Sequence, residues 1–258
     1  MTSSTPLPRL AAASSVIGIA AACAQLGQEK PREQAGVVEY APGLRIDWGR
    51  RRVELDGKVC LREGMLELFA CSSRTREHES IVVVHAQPQR VFEAIGLLGA
   101  EPGHPVRFDE DSKQWLDPTG DSLRITVQWR HDGRPKTADI GEWMRIADTD
   151  KSLPADKWVF AGSTRTPQGD ISADQEGTVI AVVDFPSAII AWPERKSADN
   201  EQLWLRANPD AIPPIGTPVT ILISPIDKDA KPVPHTDNAV APQSPIDPKQ
   251  AGRHSDAP

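Results

Sequence analysis

Proline limits this chain more than any other feature. It occurs 24 times along 258 residues. Each proline removes a backbone donor and clashes with the preceding turn of a helix. Long helices are therefore disfavoured over most of the chain, and short strands and loops are favoured. One segment escapes. Pro88 suits a first helical position, and Val91, Phe92, Ile95 and Leu98 recur at three- and four-residue spacing. Gly99 then supplies a stop. The pattern predicts one main helix over residues 88–98.

Around it the chain reads as strands. Val37–Tyr40 and Leu44–Trp48 flank Pro42-Gly43. Arg52–Leu55 and Lys58–Arg62 flank Asp56-Gly57, which predicts a two-residue hairpin there. Met65–Cys71 follows Glu63-Gly64, another expected tight turn. Ile81–Val84 is a β-branched run suited to burial on both faces. Residues 101–121 read as a polar loop. Leu123–Trp129 alternates as a strand and turns at Asp132-Gly133 into Lys136–Ala138. Ile140–Ile146 fits a short helix or a strand, and Glu201–Ala207 a short helix. Trp158–Ala161, Thr178–Val183, Ala188–Trp192 and Val219–Ile223 read as strands, with Val219–Ile223 closing the domain. The expected fold class is α+β: a single domain over 37–224 with a mostly antiparallel sheet and one main helix.

The two ends differ from this domain. Arg9 precedes the apolar stretch Leu10–Ala22, which is followed by Cys23 and a polar segment. That is the layout of a secretory signal over residues 1–24. Thirteen residues are too few for a spanning helix, which needs about 20. Ala22-Cys23-Ala24 allows cleavage before Gln25, while Ala20-Ala21-Ala22-Cys23 resembles a lipobox with Leu replaced by Ala20. The lipobox reading makes Cys23 the acylated residue and residues 25–36 a tether. It places the domain in the periplasm as a membrane-anchored lipoprotein. Residues 225–258 are rich in Pro, Asp, Lys, Ala and Ser without an aromatic, the composition of a disordered tail. The net charge of −7 and the lack of a basic stripe argue against a nucleic-acid partner.

The densest chemistry lies between Cys71 and Ser80. Cys60-Leu-Arg-Glu-Gly-Met-Leu-Glu-Leu-Phe-Ala-Cys71, followed by Thr75-Arg-Glu-His-Glu-Ser80-Ile-Val, resembles the YdjY-domain family of bacterial secreted proteins and lipoproteins. Ile95–Gly103, Trp158–Ser163, Asp184–Ser187 and Ile212–Pro218 extend the resemblance over roughly residues 44–224. It implies an exported protein of a family without an assigned activity, some of whose members are called ferredoxin-like. An iron–sulfur cluster normally needs four Cys ligands, and only Cys60 and Cys71 follow the signal segment.

Three readings of Cys71–Ser80 stay open. Cys71, His78 and Glu79 have the ligand types of a zinc site, one short of the usual four. His85 adds no ligand on a straight strand, because its odd separation from His78 puts it on the other face. The same three residues have the types of a Cys–His nucleophile pair with an orienting carboxylate. In the third reading Cys71 fills core and Glu77-His78-Glu79 fixes a turn. A hairpin at Glu63-Gly64 would put Cys71 about 13 Å beyond the partner of Cys60, outside disulfide reach, so both thiols are expected to be free.

Other motifs are weaker. Asp109-Glu110-Asp111 with Asp117 and Asp121 lacks the calcium-loop spacing. Ser163 and Ser187 have no nucleophile-elbow context. No Walker loop or dinucleotide fingerprint is present. The first functional expectation is a non-enzymatic binding or interaction module without a cofactor. A metal or redox accessory protein and a Cys-dependent hydrolase are the alternatives.

Overall fold

The computed structural model describes residues 36–154 and 156–227. The expected signal segment, Cys23, the tether up to residue 35 and the tail from residue 228 lie outside the described residues.

Strands carry the architecture. β1 (Val37–Ala41) and β2 (Leu44–Asp47), both expected as extended segments, pair as a hairpin with Gly43 at φ 74° in its turn. β3 (Arg52–Val59) runs without interruption through Asp56-Gly57. The hairpin expected there is absent, and so is the one expected at Glu63-Gly64. β4 (Leu68–Ser72) and β5 (Ser80–Val84) follow, then α1 (Pro88–Leu97), closed by Gly99 at φ 83°. The expected polar loop contains a small hairpin of β6 (Arg107–Asp109) and β7 (Gln114–Leu116). β8 (Ser122–His131) turns at Asp132-Gly133 into β9 (Arg134–Asp139). Both turn residues have positive φ, as this hairpin turn requires.

Residues 140–146 are both things the sequence allowed: a 3-10 turn over Ile140–Trp143, then β10 (Met144–Ile146). β11 (Trp158–Phe160), the one-turn helix α2 (Ala173–Glu176), β12 (Thr178–Ala181) and β13 (Ile190–Ala191) come next. The helix expected at 201–207 is a 3-10 turn over Asn200–Gln202 followed by β14 (Leu205–Ala207), which pairs with β10. β15 (Pro218–Pro225) carries the ladder to the start of the expected tail.

The α+β expectation is corrected by how these strands join. In the order β3-β15-β8-β11-β13-β12-β4-β5 they form a path, and β5 pairs back to β3. The result is a closed eight-strand barrel in a mostly β protein, 41% strand and 12% helical. Six seams are antiparallel; β12–β13 and β4–β5 are parallel. Closure removes the open edges of a sheet. α1 is too short and too solitary to form a helical layer. Its buried Val91, Ala94 and Ile95 instead join the apolar cluster that includes Val53, Leu55, Leu123, Ile125, Ile221 and Ile223.

Closure explains Gly57. β3 shares one edge between two partners, pairing with β2 over residues 52–55 and with β5 over 57–59. A Cβ on Gly57 would lie 2.6 Å from the Val83 carbonyl oxygen and 2.9 Å from Val82 Cγ1. The glycine therefore serves close backbone approach at the seam, a known role of glycine inside strands. β8 is divided in the same way, between β11 at residues 122–123 and β9 at 126–131.

Candidate functional site

The parallel β4–β5 seam creates the chemically richest place on the domain. Its register sets Leu68 beside Ser80. The residues just before each strand, Glu67 and Glu79, are therefore neighbours, and the Glu67 N–H donates to the Glu79 carbonyl at 3.2 Å. On the other side of Glu67, the Val182 N–H donates to its carbonyl at 3.0 Å. Both glutamates are thus positioned by backbone on a rigid part of the barrel.

A short turn brings the remaining groups. Thr75 Oγ1 donates to the Ser72 carbonyl, and the Arg74 N–H, at φ 65°, donates to the Glu77 carboxylate. A 3-10 turn then covers Glu77–Glu79. This path returns Arg76 to the glutamates, with Nη1 at 3.1 Å from Glu67 Oε2 and 3.5 Å from Glu79 Oε1. The guanidinium also lies 4.5 Å from the centre of the Phe185 ring. His78 Nε2 is 3.0 Å from Glu79 Oε1, with the ring largely exposed. These four side chains, with Met65 and Leu203, line a cavity of about 470 Å³.

Electrostatics make Glu67 the unusual member. Burial pushes its carboxyl up to about 7, reinforced by the hydrogen bond and charge of Glu79 and opposed by Arg76. Two carboxyls this close favour one proton between them. The arrangement can hold or release that proton near neutral pH. It can also exchange the proton for another hydrogen-bond donor.

The expected trio is only partly assembled. His78 and Glu79 meet, but Cys71 is fully buried in a small cluster with Leu68, Val83, Ala181 and Ala191. Burial raises its thiol pKa, against the lowering influence of the Ser80 and Thr75 hydroxyls. Cys71 lies beneath the turn that carries His78 outward. Among the described residues no three His, Cys, Asp or Glu side chains are grouped to hold a metal ion. Cys60 and Cys71 are both free thiols. Cys60 Sγ donates to the Ser80 carbonyl at 3.1 Å, and burial, with the nearby Cys71, pushes its pKa up to about 12.

Glu67 and Arg76 escape sequence reasoning. The available signal is local: each glutamate stands at the start of an apolar strand run, where a buried carboxyl is uncommon. Only the seam pairs them.

Other candidates are engaged structurally. Asp109 accepts from the Ser112 N–H and fixes the tip of the β6–β7 hairpin. Asp117 pairs with Arg195 at 3.6 Å. Ser187 is buried between Thr178 and the Glu176 carboxylate, each at 2.6 Å. Ser163 Oγ accepts from the Ala173 N–H. His85 lines a second cleft of about 710 Å³ with Asp56, Trp129 and Thr220. Arg45 grips Asp56 there with two hydrogen bonds of 2.6 and 2.8 Å, and these hold its carboxyl low although burial acts to raise it. That carboxylate is less available to a ligand than the pair at Glu67.

Fold and site together define a mostly β protein built on a closed eight-strand barrel, with Glu67, Arg76 and Glu79 gathered beside its β4–β5 seam. The YdjY domain family model matches residues 44–224, and the chain belongs to that family. No curated protein and no solved structure matches the chain.

Proposed function

We propose that this protein is an exported, lipid-anchored binding domain whose Glu67–Glu79 cavity receives a cationic donor group, such as a primary amine, from a ligand or partner. The carrying observation is the placement of two carboxyls on one cavity wall with a single guanidinium, Arg76, between them. An incoming ammonium would replace the proton on Glu67 and donate to both carboxylates. Charge-assisted hydrogen bonds of this kind are among the stronger polar contacts. Because binding releases a proton, affinity rises with pH through the range where Glu67 titrates.

The hydrolase and metal readings have less support. A nucleophilic Cys needs access and a base within reach; Cys71 has neither, being fully buried with His78 turned outward. Export and anchoring are supported by Arg9, the apolar run Leu10–Ala22 and Cys23.

Calorimetric titration of putrescine at pH about 6.5, where most of the free Glu67 still carries its proton, compares wild type with Glu67→Gln and tests the cavity. The expected result is binding to wild type with proton release, lost in the variant. Equal heats from both proteins would remove the cavity from the account. Metabolic labelling with a fatty acid tests the anchor: label on wild type and none on Cys23→Ser is expected. An unlabelled wild type would leave a soluble periplasmic protein.

A further inference from the structure

A second site shares no lining residue with the carboxyl cavity and does not depend on its reading. Among the described residues the β6–β7 hairpin belongs to no larger sheet. Its register sets Phe108 directly opposite Trp115, so both rings share one face. The rings meet edge-on with centroids 5.6 Å apart at 67°. Both remain in solvent, Phe108 at 42% and Trp115 at 53% exposure. Two-stranded hairpins are marginal in water, so burying this pair would have stabilised the domain.

Trp115 also forms one wall of a cleft of about 510 Å³. Asp184, Arg195, Ser197 and Gln202 give it a polar lining, beside the apolar Val106, Pro186 and Ala198. Asp184 Oδ1 accepts from the Lys196 N–H at 2.9 Å, and Oδ2 has no hydrogen-bond partner among the described residues. Arg195 is braced by Asp117 at 3.6 Å. The cleft thus offers a half-exposed indole beside a carboxylate, a guanidinium, a hydroxyl and an amide. Donors and acceptors are mixed, and the charges of Asp184 and Arg195 offset each other.

We infer that this cleft binds a neutral saccharide chain, with one pyranose ring stacked on Trp115 and its hydroxyls bonded by Asp184, Arg195 and Gln202. A pyranose has an apolar C–H face that packs on an aromatic ring and an equatorial rim of hydroxyls that both donate and accept. Few ligand classes need those two properties on adjacent walls. A purely apolar segment would leave Asp184 and Arg195 desolvated and unpaired, which is costly. An anionic membrane surface would meet Asp109, Glu110 and Asp111 at the hairpin tip, with Lys113 the only cation in that turn.

The test follows the indole N–H signals of the full chain by NMR during addition of tri-N-acetylchitotriose, maltotriose or cellotriose. Trp115 is assigned by its loss in Trp115→Phe. At least one saccharide is expected to shift the Trp115 signal saturably. Trp115→Ala should weaken that binding by about tenfold or more, the loss of one stacked ring. Arg195→Gln should weaken it as well. The thermal midpoint of Trp115→Ala should stay close to wild type, because the ring is half exposed. No shift with any of the three up to about 10 mM, beyond the range of weak specific binding, would overturn the inference. So would undiminished binding by Trp115→Ala. Partition of wild type, but not of that variant, onto phosphatidylglycerol vesicles would overturn it in favour of membrane contact.

Discussion

Replacing Glu67 by Gln should make this domain more stable at neutral pH and leave it almost unchanged in mild acid. The amide keeps the size of the carboxyl and supplies a permanent donor toward Glu79, but it cannot ionise. The wild-type carboxyl titrates at about 7 in the folded domain against 4.5 for an ordinary glutamate. A raised pKa means that the fold holds the proton more tightly than the unfolded chain does. Below pH about 4.5 both states are protonated and the contribution is fully present. As pH rises toward 7 the unfolded chain releases the proton first, and the contribution is progressively lost. A gap of about 2.5 units corresponds to about 3 kcal/mol at most. Glu67 is 10% exposed as a side chain but faces an open cavity, so solvent screening lowers this bound. Urea unfolding of both proteins at pH about 4.5, 6, 7 and 8 measures it. Their stabilities should diverge by about 1–3 kcal/mol across that range, with wild type the weaker at the alkaline end. A difference that does not change with pH would refute the shared-proton description.

Two further outcomes are expected. Gly57→Ala should destabilise the domain by about 1–3 kcal/mol in urea melts, the range for forcing atoms into a packed position, because its Cβ meets the Val83 carbonyl at the barrel seam; a neutral result would mean that the seam is not tight. In a Cys23→Ser chain, a disulfide reagent at neutral pH should label neither Cys60 nor Cys71 until denaturant is added, since burial suppresses both thiolates; rapid labelling of Cys71 in the folded protein would reopen the nucleophile reading.

Local chemistry was readable from the sequence, and long-range pairing was not. α1 declared itself through apolar spacing, Pro88 and Gly99, and Asp132-Gly133 through its turn chemistry. Asp56-Gly57 is the same dipeptide, yet it lies inside β3, because its glycine answers to β5 rather than to a turn. No local window contains Val83, so the pattern favoured a hairpin. The same limit explains the fold class. A closed barrel is decided by β3 meeting β5 and by two parallel seams, not by any one strand's alternation. At the site, His78 and Glu79 stood out as adjacent polar residues before a buried strand. Glu67 and Arg76 did not, since only the β4–β5 register and the returning turn unite them. Cys71 drew attention by residue type, and burial assigns it to packing.

Direct titration of the Glu67 side-chain carboxyl by carbon-13 NMR, with and without putrescine, probes the central claim most closely. The account predicts a midpoint near 7 in the free domain. It also predicts a downward shift when the amine is bound, because a cation then stabilises the carboxylate. A midpoint at the ordinary glutamate value, or one unmoved by the amine, would contradict it.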